Sequence, residues 1–321
     1  MDEVMDAEKI GKAIQFLRRR AGYTQLELAE RLVVSDKAVS RWERGKGIPD
    51  VSLLRRLSII LDTDIDSLLE GSVAIHEESW KGLLYADFPV DTVIYDKPLA
   101  DYLLSYFLLA KVRDIIIFAS SRQICFLRER FSDGEQLNIN LSYCEIKKEK
   151  LSQIIEARRE LFANSNVMVV YSPCVLYGVN LTRFLRRGML NEGKITALLT
   201  VKNNAESEVF MNEEKAIVIP EDEHVVTKYH YCILPFIYSH GGIKNLLGEY
   251  ESFEELLSQL TQDKKLQAEP LDKGFVDFEV RNAEDILAAS NFISLVQAQT
   301  GAKVCDPEEV AMRRGLIEEI Q

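Results

Sequence analysis

The spacing of apolar residues changes once along the chain, and that change fixes how it can fold. Up to about residue 70, apolar positions recur at helical intervals in short runs: Ile10, Ile14 and Leu17, then Leu28, Ala29 and Leu32. From Lys81 onward, short β-branched runs such as DIIIFAS and VMVVYS alternate with amphipathic stretches such as LADYLLSYFLLAKV and SRQICFLRERF. The first pattern buries one stripe of each helix, whereas the second buries strands on both faces of a sheet. One core does not serve both, so two domains are expected. The length of 321 residues agrees, at roughly 150 per domain. The expected boundaries are 1–71 for an all-α domain of five helices, 72–79 for a linker, and 80–321 for an α/β domain. The linker, SVAIHEES, has no periodicity and carries adjacent glutamates.

Local signals delimit the five helices. Gly22 can end the first, and Thr24 with Glu27 forms a capping box at the start of the second. After Val33 and Val34, Ser35 caps a third helix, DKAVSRWER, which stops at Gly45. Pro49 breaks the chain, and Asp50 caps a fourth helix carrying Leu53, Leu54 and Leu57. A last short helix holds Ile65, Leu68 and Leu69. Two short helices, a tight turn and a basic third element make a helix-turn-helix.

Charge marks the same module. Residues 7–56 hold twelve basic and six acidic side chains, a balance of +6, which leaves −18 for the rest of a chain whose total is −12. A cationic module on an anionic body points to a polyanionic partner for the module alone. The stretch TQLELAERLVVSDKAVSRWERGKGIPD resembles the lambda-repressor/Cro-like (XRE) family of DNA-binding domains. The resemblance implies double-stranded DNA as partner, with Gln25, Ser35, Asp36, Lys37, Ser40, Arg41 and Arg44 as the DNA-facing residues. Lys37 and Ser40, near the amino end of the third helix, would reach base edges in the major groove. Gln25, Arg41 and Arg44 are better placed for phosphate, where they set register. Ala38, Val39 and Trp42 turn to the core, and Glu43 is expected to pair with the Arg18–Arg20 cluster.

In the second domain, KGLLYA, DIIIFAS, NLSYCEI, VMVVYS and ITALLTV read as strands of a mainly parallel mixed sheet. Helices follow between them, and two more close the chain, over 282–300 and 307–319. Sheets of this kind place ligands beyond the carboxyl ends of their strands. KGLLYA, IYDKPL, FSDGEQLNINLSY, LYGVNL and NFISLVQAQTGAKVCDPEEVAMRRGLIE, in this order, resemble the glucose-1-phosphate thymidylyltransferases. These belong to the sugar nucleotidyltransferases, which have a Rossmann-like fold.

That resemblance implies nucleotidyl transfer, with a glycine-rich loop, lysines and two Mg²⁺-binding aspartates steadying an anionic transition state. The loop, GGxGTRLxP in the family, is absent after Ala86-Asp87, and its closing lysine appears as Pro89. The first aspartate position is Pro173. A family lysine falls at Asp222, and the second aspartate falls at Glu279, beside Arg281. On these substitutions the expectation is a catalytically degenerate body: no catalytic residue, no metal site, no cofactor, and Pro173, Asp222 and Glu279 as remnants. An active sugar-phosphate nucleotidyltransferase with a regulatory head is the rival expectation. An assembly protein whose head contacts only proteins is a third.

The remaining features are bland. His224, His230 and His240 are too irregularly spaced for a metal site. Cys174 is either a reactive thiol or a structural cysteine, and the lack of an adjacent His or Lys favours the second. The run Tyr229–Tyr238 reads as a buried strand. Five scattered cysteines without a CxxC pair fit a reduced cytoplasm, and no apolar run approaches the roughly 20 residues of a membrane span. A cytoplasmic transcriptional regulator is therefore expected, with no membrane partner. Its body is expected to form a dimer or tetramer, as the resembling enzymes do, and to bind a nucleotide sugar as effector.

Overall fold

The structure is a computed structural model that describes residues 6–20, 23–61, 63, 65–70, 80–147, 149–163, 165–178, 181–189, 191, 194–201, 209–211, 216–218, 227–229, 231–271, 274–313 and 316–317. The chain divides into two compact units, Met1–Glu77 and Glu78–Gln321. Gly22, the 72–79 segment, Asp222, His224 and His230 lie outside the described residues.

The head consists of α1 (Ala7–Arg20), α2 (Gln25–Leu32), α3 (Asp36–Glu43), α4 (Val51–Ile60) and α5 (Ile65–Glu70). The N-terminal caps read at Thr24, Ser35 and Asp50 all form. The Thr24 hydroxyl accepts from Glu27 N while Glu27 accepts from Thr24 N, Ser35 accepts from Ala38 N, and Asp50 accepts from Ser52 N. Ile10, Ile14, Leu17, Leu28, Leu32, Val39, Trp42 and Leu57 meet in one buried cluster. Burying each large side chain contributes about 2 kcal/mol, which is how five short helices hold together. Two positions were not legible beforehand. Gly11 lets α1 lie directly on α3, since a Cβ there would stand 2.2 Å from the Trp42 carbonyl oxygen. Val33, in the turn between α2 and α3, adopts φ 60°, a left-handed conformation that is costly for a β-branched residue.

The body is built on a seven-stranded sheet. Its strands are β1 (Trp80–Ala86), β4 (Asp114–Ala119), β5 (Asn140–Glu145), β6 (Asn166–Val170), β8 (Ile195–Val201), β12 (Tyr231–Ser239) and β13 (Leu266–Pro270). They lie in the order β13-β8-β12-β6-β1-β4-β5. All run parallel except β12, which is antiparallel to both its neighbours. Two small antiparallel pairs, β2 (Val93–Ile94) with β3 (Lys97–Pro98) and β7 (Cys174–Tyr177) with β14 (Val276–Glu279), lie outside it. Short strands β9 (Val209–Met211), β10 (Ile217–Val218) and β11 (Thr227–Tyr229) form a third small sheet.

The helices are α6 (Leu99–Ala110), α7 (Ser121–Phe131), α8 (Leu151–Ala157), α9 (Leu181–Arg187), α10 (Phe253–Gln262), α11 (Ala283–Thr300) and α12 (Pro307–Arg313). Apolar clusters cover both sheet faces, one around α6 and the other around α8 and α10. This is the mainly parallel mixed sheet that the strand–helix alternation implied. From Tyr231 the aromatic run is a strand, β12, whereas Tyr229 ends β11 of the small third sheet, and Pro235 is accommodated by a register shift between Ile233 and Ile237. No described helix is long and apolar enough to cross a membrane.

Candidate functional site

On α3 and its two caps the chain presents one charged face within ten residues. Ser35, Asp36, Lys37, Arg41 and Arg44 are exposed and Ser40 is half-buried, while Val39, Trp42 and Glu43 face inward. The backbone orients the cations. Arg41 Nε donates to the Lys46 carbonyl at 2.9 Å and Arg44 Nε to the Ser40 carbonyl at 3.0 Å. Ser35 Oγ is engaged as the cap, 3.2 Å from Ala38 N, and Asp36 Oδ1 accepts from Lys37 N at 2.8 Å. Lys37 and Ser40 stand in the first turns of the helix, where base-reading groups stand when such a helix enters a major groove.

Beneath this face lies a buried charge network. Arg18 donates to Glu43 through Nε at 2.5 Å and a second nitrogen at 3.1 Å, and also to the Tyr23 carbonyl at 2.6 Å. Gln25 Nε2 donates to the same carboxylate at 2.7 Å, so the first turn of α2 is tied to the last turn of α3. Burial alone would raise the Glu43 pKa, but hydrogen bonds from Arg18, Gln25 and Gln15 hold it below its ordinary value. Glu43 is thus the internal partner of Arg18. Gln25 stands at the start of α2, where one of its two amide N–H groups is bonded to Glu43 and ties the helix pair together.

In the body, the carboxyl ends of β1, β4, β5 and β6 share one edge, as their parallel register requires. Six residues, 87–92, join β1 to β2, where a glycine-rich loop would stand. Residues more than a hundred positions apart meet near this edge. Cys174 pairs with Glu279 across the antiparallel β7–β14 ladder, and Val280 N donates to the Pro173 carbonyl at 2.9 Å. Glu279 accepts from Ser172 Oγ at 3.3 Å and forms an ion pair with Arg281. Just inside, Tyr171 stacks on Phe253 at 4.4 Å and Tyr85 meets the same ring edge-on at 5.4 Å.

Two expected remnants, Pro173 and Glu279, are therefore brought together, and Asp222 lies outside the described residues. Ser172, Tyr171 and Phe253 were missed, because nothing local in the sequence joins positions 171 and 253. Pro173 offers no side-chain oxygen, and Glu279 is already shared by a hydroxyl and a guanidinium. No group of three or more acids, histidines or cysteines is placed to hold a metal among the described residues.

Other candidates resolve as structure. Cys174 is buried, and burial pushes its thiol well above the usual range, which leaves it protonated. His240 is buried against Trp80, with Nε2 2.8 Å from the Met189 carbonyl. Gly241 and Gly242 follow with φ 81° and 86°, turning the chain into a short 3₁₀ segment at Ile243–Leu246 rather than an α-helix.

Fold and site together define the class: a helix-turn-helix head joined to an α/β body with nucleotidyltransferase architecture. The comparisons with known proteins sharpen both halves. The helix-turn-helix family model matches residues 14–68. Over 67 residues the chain is 40% identical to the HTH-type transcriptional activator BcrR of Enterococcus faecalis, covering 21% of this chain and 33% of that protein. The body is 28% identical over 240 residues to the glucose-1-phosphate thymidylyltransferase of Mycolicibacterium smegmatis, covering 71% of this chain and 82% of that enzyme.

Its fold matches that of UDP-glucose pyrophosphorylase complexed with UDP-glucose, with a TM-score of 0.51 and 13% identity, covering 67% of this chain and 98% of that one. The chain carries an XRE-type helix-turn-helix domain at its N-terminus and a glucose-1-phosphate thymidylyltransferase-like body.

These relatives correct one expectation. The body was expected to be no enzyme, on the strength of individual missing side chains. Relatives of 27% and 28% identity across about 240 residues are thymidylyltransferases, which points the body toward enzymatic activity. Reading motif positions one at a time misses that transition-state stabilisation depends on where groups converge in space, whichever element supplies them.

Proposed function

We propose that this chain is a sequence-specific DNA-binding transcriptional regulator whose head reads a duplex through α3 and whose body self-associates and takes a nucleotide sugar as effector. The observation that carries the reading is the α3 face: Lys37, Arg41 and Arg44 exposed on a helix whose other side is locked by the Arg18–Glu43–Gln25 network. The likeness to a transcriptional activator supports it. So does the charge division, since a +6 segment on a chain of −12 confines affinity for a polyanion to one end.

In this reading Lys37 and Ser40 contact bases, while Gln25, Arg41, Arg44 and the backbone around Ser35 and Asp36 grip phosphates. Two heads in one assembly then read half-sites about 34 Å apart. The test is selection of bound genomic fragments, followed by affinity measurements across salt. A linear fall of log K with log salt, together with a recovered consensus, supports the reading. Binding that ignores both salt and sequence overturns it.

The thymidylyltransferase relatives favour a second reading for the body, nucleotidyl transfer from a nucleoside triphosphate to a sugar phosphate. Pyrophosphate release with glucose-1-phosphate, Mg²⁺ and each nucleoside triphosphate tests it, with Glu279→Gln as the control. Turnover that Glu279→Gln abolishes makes the protein an enzyme that also binds DNA. A nucleotide sugar that shifts the body's melting without turnover assigns the body to sensing.

A further inference from the structure

We propose that the body carries a ligand site apart from the sheet's carboxyl edge, an open cleft beside the edge strand β5 that takes the phosphate ester of a sugar. Its regulatory meaning rests on the reading of the body as an effector-binding unit, whereas its chemistry stands independently of that reading.

Topology sets the cleft at a distance from Glu279. Strand β5 ends the sheet and pairs with β4. Helix α7 returns from the carboxyl end of β4 toward the start of β5, so its last turn lies toward the opposite edge of the sheet. There Arg128, Ser132, Asp133, Leu141, Ser142 and Tyr143 line a cleft of about 490 Å³, within the roughly 300–1,000 Å³ of small-molecule sites.

Arg128 supplies a cation that the fold does not use. Of the three arginines of α7, Arg122 pairs with Asp91 at 3.4 Å, and Arg130 holds Asp101 through two nitrogens at 2.5 Å. Arg128 is exposed, and among the described residues it forms no ion pair. Its guanidinium stands over the Tyr143 ring, 5.3 Å from the centroid, which steadies the plane of its hydrogen-bonding fork.

Ser132 points to a ligand through a different observation. It holds φ 52° and ψ −121°, a conformation that glycine adopts freely and a side chain resists. Its backbone is pinned there: the N–H donates to the Arg128 carbonyl at 2.9 Å, and the carbonyl accepts from Tyr143 Oη at 2.7 Å. What serine adds over glycine is a hydroxyl, and among the described residues that hydroxyl has no partner. No bond within the fold offsets the strain, so the hydroxyl serves something outside it.

Asp133 narrows the ligand. Its Oδ1 accepts from Glu135 N at 3.2 Å and its carbonyl from Leu141 N at 2.7 Å, which hold the carboxylate at the cleft. A bare anion is repelled by it, whereas a molecule with an anionic end and hydroxyl donors satisfies both signs. A sugar phosphate is such a molecule. Its phosphate takes the Arg128 fork and the Ser132 hydroxyl, and a ring hydroxyl donates to Asp133.

Calorimetry of the full chain with glucose-1-phosphate, dTDP-glucose, glucose and inorganic phosphate, at about 0.1–10 mM ligand, tests the proposal. An ester is expected to bind, with glucose and phosphate at least about tenfold weaker. Arg128→Gln should weaken the ester at least about tenfold, with melting unchanged. Ser132→Gly should weaken it about three- to tenfold while the melting temperature stays at or above that of the wild type, a split that a merely structural serine does not produce. The dTDP-glucose arm separates a nucleotide sugar from a free sugar phosphate, and loss in Arg128→Gln supports the site for whichever ester binds. No heat with either ester, or phosphate alone binding as tightly, overturns the proposal. So does binding that survives Arg128→Gln, and a fall in Glu279→Gln then places the ester at the carboxyl edge. Gel shifts with and without the ester keep the two readings apart. Arg128-dependent binding that leaves DNA affinity unchanged supports the site and overturns only the effector reading.

Discussion

The α3 face and the carboxyl edge of the sheet are built in opposite ways. In the head, the residues that define the surface lie on one helix and its C-cap, Lys37 to Arg44, and the cations stand exposed, with the helix backbone held by caps a few residues away. In the body, the equivalent place is assembled from Tyr85, Tyr171, Ser172, Phe253 and Glu279, whose neighbours come from distant parts of the chain. The head's cations face outward toward a partner, whereas Glu279 is answered internally by Arg281 and Ser172. A local interface tolerates change around it as long as its helix folds. An assembled one inherits every deletion and insertion between its parts, such as the short 87–92 connection.

The largest expected effects separate the two units. Phe253→Ala removes the ring on which Tyr171 and Tyr85 pack and should cost the body about 3–5 kcal/mol, leaving DNA binding by the head intact. Glu43→Ala leaves the Arg18 guanidinium buried without its carboxylate and should cost the head about 3–5 kcal/mol, with the body's melting transition unmoved. Calorimetry of each variant checks both, and a shift of both transitions by one substitution would break the comparison.

The same carboxylate sets an acid limit. Its folded pKa is depressed, so its stabilisation is present above the ordinary carboxylate range and is lost as pH falls through the lower, folded value. Head stability should drop in that window in the wild type and lose this component in Glu43→Gln.

Smaller effects follow within the head. Gly11→Ala pushes a methyl into the Trp42 carbonyl and should cost about 1–3 kcal/mol, read as a lower melting temperature of the head. Lys37→Ala should relax sequence preference with roughly a ten- to hundredfold loss on the specific site. Arg44→Ala should weaken all sequences alike and reduce the salt slope by about one. Val33→Gly relieves the left-handed turn and should raise head stability by about 1 kcal/mol, the smallest change and the one in the favourable direction.

Most of the head was legible because its signals are short-range. Thr24 with Glu27, Ser35 and Asp50 cap where they stand, and helical spacing names the core from Ile10 to Leu57. The sheet's parallel strands were legible too, since both-face burial leaves continuous β-branched runs. What escaped depends on approach between segments. Gly11 matters through a carbonyl 31 residues away, β12 runs against its neighbours, and the long-range β7–β14 pair sets Glu279 opposite Cys174.

The body's chemistry was read too narrowly from single motif positions, and its likeness to thymidylyltransferases across about 240 residues corrects that reading. By itself the sequence determined two domains, the caps and core of the head, and the charge that marks one end for a polyanion, because each follows from spacing and composition over a few turns. Only the tertiary structure decided which distant side chains share the sheet edge and which way each strand runs, because those are settled by how whole elements pack.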